Sequence, residues 1–236
     1  MIDGPSWAEL ENAANSTPKK IIRELQLLSF ETTPYEQFVT LVEKAINFSV
    51  TKMVSSKNIV AGKGGHRRMD EDQLTLLLSA PLLGMGFDIS HSTNVGGNCD
   101  IHIQGPDDYL WLGEAKIFSD YGKLMGGFQQ LCDRYSTGLE CQSRGAMIIY
   151  MFGAKVQSMM KSWCDYLKDA RHDLKTEPVD GQPLQFRTTE LHRATEQPIV
   201  VCHMPVPLLH EPTDSAPPPP RTRRAEAKAS RAEKAR

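Results

Sequence analysis

The sequence predicts an α/β (α+β) fold: a central mixed β-sheet flanked by helices, with extra helices before it. Three observations carry this. A hairpin signal runs through the middle of the chain, where Asp100-Ile101-His102-Ile103 alternates with period two, Gln104-Gly105-Pro106-Asp107-Asp108 has turn chemistry, and Tyr109-Leu110-Trp111-Leu112 resumes as strand. A continuous apolar run, Ala146-Met147-Ile148-Ile149-Tyr150-Met151-Phe152, reads as a strand covered on both faces. Apolar stripes at helical spacing lie on either side of that run, as parallel strands require of their crossovers.

The chain of 236 residues is 40% hydrophobic, enough for one domain of ordinary size with tails. The expected division is an N-terminal helical region with a basic glycine-rich loop at 1–68, a core at 69–210, and a Pro-rich then basic flexible tail at 211–236. The net charge of −2 is unevenly spread. No run of about 18 apolar residues exists, which predicts no membrane span. Met1-Ile2-Asp3-Gly4-Pro5-Ser6-Trp7 lacks the basic start and apolar run of a signal peptide. The five cysteines form no CxxC pair, so neither a zinc knuckle nor a disulfide framework is indicated. The expected compartment is the cytoplasm.

Taken in order, Pro18 opens a helix at 19–29 with Ile21, Ile22, Leu25, Leu27 and Leu28 as its stripe. Thr32-Thr33-Pro34 starts a second, on which Phe38, Leu41, Val42, Ala45, Ile46 and Val50 recur. Residues 55–68 read as a flexible glycine loop carrying Lys57, Lys63, Arg67 and Arg68, without P-loop spacing. Such a loop either grips a phosphate backbone or is plain surface. Asp70, Glu71 and Asp72 open the next helix, where acids suit the dipole; Leu74, Leu77, Leu78 and Leu82 carry it to Gly84. A strand at 86–91, turn residues at 93–98 and the hairpin follow. Residues 120–136 read as mostly helix despite Gly126-Gly127, and 156–171 as an amphipathic helix with Met159, Met160, Trp163, Cys164 and Leu167 on one side. Residues 177–183 read as a loop, and 184–192 and 199–205 as two further strands. His192 and His203 belong to no metal-binding spacing and read as structural.

The second hairpin strand is apolar until Glu114. The period of two puts Glu114 and Lys116 on one face with Ala115 turned away, and the turn brings Asp100 to the same pocket. Two carboxylates and an amine at the end of a buried strand are costly unless paired. Hard oxygen donors of this kind suit Mg²⁺.

Asp100-x(13)-Glu114-x-Lys116 on consecutive strands resembles the PD-(D/E)xK nuclease superfamily, over about residues 69–171, with Cys99 where the motif name has Pro. The resemblance implies a restriction-endonuclease-like core of αβββαβ order. It implies that Asp100 and Glu114 hold Mg²⁺ (or Mn²⁺) with the Ala115 carbonyl, that Lys116 positions the attacking water, and that Glu71, or else Asp70 or Asp72, supplies a further acid. A helix after the ExK strand carries Gln-x-x-x-Tyr in some members; here Gln130 and Tyr135 are separated by four residues rather than three. Gln129, Gln130, Arg134 and Tyr135 are candidates to contact the nucleic-acid backbone, as are Lys63, Arg67 and Arg68, with Lys123 a further one.

The implied activity is phosphodiester hydrolysis, of DNA ahead of RNA, in restriction, repair or antiviral defence, beside a sensor or ATPase partner subunit; cutting both strands calls for a homodimer. The competing reading is a catalytically inactive module of this fold binding nucleic acid or a partner. The 16 residues from Arg221 carry seven Lys or Arg against two Glu, a charge of +5, after the prolines at 217–220. They either add affinity for nucleic acid or only solubilise.

Overall fold

The computed structural model describes residues 17–28, 34–61, 68–90, 93–94 and 98–211. The expectations for the N-terminal 16 residues, for Lys63 and Arg67, and for the tail from residue 212 lie outside the described residues.

Helices α1 (Thr17–Leu28), α2 (Tyr35–Ser55) and α3 (Glu71–Met85) form one layer. Helix α2 continues past Val50 because Met53 reaches the core. Where a plain loop was expected, a single helical turn, Lys57–Val60, follows it and buries Val60. Helix α3 starts at a capping box: the Asp70 carboxylate accepts from the Gln73 amide at 2.9 Å, and the Gln73 side chain accepts from the Asp70 amide at 3.1 Å. It stops at Gly86, whose φ of +96° is the left-handed conformation that ends helices.

The strands are β1 (Asp88–Ser90), β2 (Thr93–Asn94), β3 (Asn98–Cys99), β4 (Ile101–Gln104), β5 (Leu110–Ile117), β6 (Arg144–Met151), β7 (Lys175–Val179), β8 (Gln182–Leu191) and β9 (Pro198–Pro207). Seven of them form one mixed sheet, in the order β1-β4-β5-β6-β9-β8-β7. The centre, β5-β6-β9, is parallel; both flanks are antiparallel. From α3, counting only the strands of the main sheet, the succession is helix, β1, β4, β5, helix, β6, with the β2–β3 ribbon inserted between β1 and β4.

Two differences from the sequence reading have local causes. The expected loop at 177–183 is mostly strand: β7 runs to Val179 and β8 starts at Gln182, which leaves a two-residue turn with Gly181 at φ +70°. Pro178 and the lack of an apolar stripe disguise β7, and its place at the sheet edge is where proline is tolerated. The expected strand 98–103 is broken at Asp100: β3 pairs with β2 in a separate ribbon, and only β4 joins the sheet.

Side chains alternate across the sheet into two cores. Trp111, Ala115, Ile148, Tyr150 and Met204 face α1–α3. Leu112, Met147, Ile149 and Val201 face α4 (Tyr121–Gln129), a π-helical segment (Gln130–Tyr135) and α5 (Val156–Ala170). Each of these large aliphatic side chains contributes roughly 1.5–3 kcal/mol on burial. Trp111 lies on β5, fully buried.

His203 of β9 pins α5 to the sheet. Trp163 Nε1 donates to His203 Nδ1 at 3.0 Å, and His203 Nε2 lies 3.0 Å from Thr188 Oγ1. An indole nitrogen only donates, so Nδ1 accepts and Nε2 carries the proton. Burial holds the imidazole neutral, with its pKa down to about 3. Among the described residues no helix is long and apolar enough to cross a membrane.

Candidate active site

The ladder between β4 and β5 ends at the Ile101–Gly113 pair. Beyond it, the amides of Ala115 and Ile117 have no strand to bond on that side, and two carboxylates replace the missing carbonyls. Asp100, at the bend where β4 departs, accepts from the Ala115 amide at 2.9 Å through Oδ2. Glu71, in the first turn of α3, accepts from the Ile117 amide at 2.7 Å through Oε2. An unmet buried amide costs about 1–3 kcal/mol, so these contacts fix both acids beside the end of β5.

Lys116 sits among them. Its ammonium lies 2.6 Å from Glu114 Oε1, 3.4 Å from Asp100 Oδ2 and 3.3 Å from Glu71 Oε1, and donates to the Ala115 carbonyl at 3.0 Å. Three carboxylates from three elements thus converge on one cation. Of the three acids at the start of α3, Glu71 reaches the pocket; Asp70 is spent as the helix cap and Asp72 is exposed.

Burial, then the Asp100 charge, raise the Glu114 pKa to about 7 against the attraction of Lys116. Glu114 is 1% exposed, and among the described residues its Oε2 has no hydrogen-bond partner. Burial alone would lower Lys116, but Glu114, then Asp100 and Glu71, outweigh it and hold the amine as an ammonium. Burial also opposes the Glu71 charge, yet the Ile117 amide, Lys116 and Lys123 together bring that carboxyl below its usual range.

The surroundings are built to this pocket. Thr75 Oγ1 donates to the Glu71 carbonyl at 2.8 Å and lies 3.2 Å from the Tyr150 hydroxyl, tying the start of α3 to β6. The Cys99 thiol donates to the carbonyls of Ile101 and Gly113, where the motif name has proline. Gly127 of α4 lets the helix lie on Lys116: a Cβ there would meet Lys116 Cγ at 3.0 Å. Of the two adjacent glycines only Gly127 makes this close approach, which offsets the cost of about 1 kcal/mol that glycine carries inside a helix against alanine.

The other sequence candidates divide. Gln130 and Tyr135 open and close the π-helical segment, which does not bring their side chains together. Tyr135 turns inward, buried; burial and then the Glu114 charge raise its phenol. Gln130 and Arg134 face outward instead, lining a groove of about 630 Å³ with Gly126, Gln129 and Asp133. The Arg68 guanidinium lies 4.2 Å over the Phe152 ring, just past the end of β6.

Among the described residues, no group of three or more His, Cys, Asp or Glu side chains is spaced as a ready-made metal cage. The donors present suit a hard cation that keeps most of its waters: the Asp100 carboxylate, the Glu114 carboxylate, whose buried Oε2 is unpartnered among the described residues, and the Ala115 carbonyl. Comparison with family models, with curated proteins and with solved structures found no match to this chain.

Proposed function

We propose that this chain is a metal-dependent nuclease of the PD-(D/E)xK type, hydrolysing phosphodiester bonds of DNA. The observation that carries the reading is the Lys116 ammonium within 3.4 Å of carboxylates from Glu114, Asp100 and Glu71. The order helix, β1, β4, β5, helix, β6 among the main-sheet strands supports it, with Asp100 just before the antiparallel β4–β5 pair, Glu114 on β5, and β6 parallel to β5. The site also lies at the carboxyl end of β5, the usual place for sites on parallel strands.

Asp100, Glu114 and the Ala115 carbonyl would hold Mg²⁺ or Mn²⁺. When bound, that ion supplies charge for the phosphoryl oxygens and a water acidic enough to attack. The residues do the rest. Lys116 stays protonated, so it acts as a hydrogen-bond donor and a charge, not as a base. It orients the attacking water and meets the negative charge growing on the phosphoryl group. Glu71 holds the ammonium in place and anchors the end of β5. Tyr135 closes the inner wall against water.

The test is a panel of supercoiled, linear and single-stranded DNA and RNA, each incubated with Mg²⁺, Mn²⁺ or EDTA. Cleavage of DNA with either metal and none with EDTA is the expected result. Binding without cleavage of any member would support the inactive-module reading instead.

A further inference from the structure

Lys116 and Lys123 are both bonded to Glu71, and they differ in what they can do. An ammonium has three N–H donors. Those of Lys116 are enclosed by four acceptors, and its side chain is 14% exposed. Lys123, in the first turn of α4, makes one ion pair among the described residues, to Glu71 Oε2 at 3.0 Å, and is 43% exposed. Two of its donors are therefore left toward solvent at the mouth of the pocket. The Asp120 carboxylate caps the Lys123 amide at 2.8 Å, which fixes the turn that carries it. Among the described residues the cluster holds three carboxylates against two lysines, so an incoming polyanion is repelled unless a reachable cation lies at the rim.

We infer that Lys123 is a substrate-binding residue of this site, contacting a backbone phosphate next to the one that is cleaved. This rests on the nuclease reading for its substrate but not for its measurement. Glu71 then has two tasks, holding Lys116 inward and Lys123 at the rim. The neighbouring phosphate is the target because Lys116 already occupies the centre. Loss of Lys123 therefore weakens binding while leaving the chemical step in place.

The experiment uses the full chain and a fluorescently labelled DNA duplex in EDTA, with anisotropy titrations at several salt concentrations, followed by cleavage kinetics in Mg²⁺. Lys123→Gln is compared with Lys123→Arg and with Lys161→Gln, which removes an equal charge from an exposed pair with Asp165 on α5. One lost phosphate contact lowers the salt slope by about 0.9 and low-salt affinity by roughly three- to tenfold. That result is expected for Lys123→Gln, with KM raised, kcat close to wild type, and the arginine variant and the Lys161 variant unchanged. Wild-type affinity and slope in Lys123→Gln would overturn the inference, as would an equal loss in Lys161→Gln. Duplex binding without cleavage by wild type would end the nuclease reading alone, since the slope still reports on Lys123. No binding by wild type would end both.

Discussion

Glu114 Oε1 lies 2.6 Å from the Lys116 ammonium, while Glu114 Oε2, buried on the same carboxylate, has no hydrogen-bond partner among the described residues. The two side chains meet because they are two apart on one strand. Their burial makes the pair an obligation: either charge alone is costly. Lys116→Met therefore lowers stability by about 3 kcal/mol or more in denaturant unfolding. Glu114→Gln costs less, because Lys116 keeps Asp100 and Glu71. The double variant recovers part of the loss, so the two changes are not additive.

Asp100 has a structural task and a charge. Asp100→Asn keeps an oxygen for the Ala115 amide but loses the charge, whereas Asp100→Ala loses both. The asparagine variant should melt close to wild type in the absence of metal and fail to gain the stability that millimolar Mn²⁺ is expected to give wild type. The alanine variant should melt lower with or without metal, by about 1–3 kcal/mol. Thermal denaturation with and without Mn²⁺ separates the two.

Gly126 and Gly127 make a matched pair. A Cβ on Gly126 meets nothing within 4 Å; one on Gly127 presses on Lys116 Cγ and on Met147 Cε at 3.1 Å. Gly126→Ala should stabilise the protein by about 0.5–1 kcal/mol through helix propensity, with activity unchanged. Gly127→Ala should displace Lys116 and lower the cleavage rate. Unfolding curves and cleavage rates on both variants check this.

The buried imidazole gives the fold a pH dependence. Folded His203 has a pKa of about 3, against 6.5 for the unfolded chain. Between these values the unfolded state binds the extra proton. The contribution is therefore whole above pH 6.5 and is lost as pH falls toward 3. Relative to His203→Gln, which does not titrate, wild type should lose on the order of 2 kcal/mol between pH 7 and pH 5. Denaturant unfolding at the two pH values measures it.

What the sequence made legible is what short-range patterns decide. Alternation puts Glu114 and Lys116 on one face, turn residues bring Asp100 back beside them, and the run from Ala146 announces a strand covered on both sides. What it hid depends on distant contacts. The sequence reading puts Glu71 ahead of Asp70 and Asp72, but the reason lies out of the sequence's reach: which acid caps α3 and which reaches the Ile117 amide, 46 positions on. The break at Asp100 shows only once β3 and β4 join different sheets. The π-segment, β7 and the place of Lys123 are likewise set by packing and sheet order, with no periodic signal of their own.

The most direct measurement is the single-turnover rate of DNA cleavage in Mg²⁺ by wild type and by Lys116→Met, at a temperature where near-ultraviolet circular dichroism shows both folded. A metal-dependent wild-type rate that falls by about a hundredfold or more in the variant is the predicted result. Equal rates in the two proteins would contradict it, because the chemistry would then not run through the cation that the three carboxylates enclose.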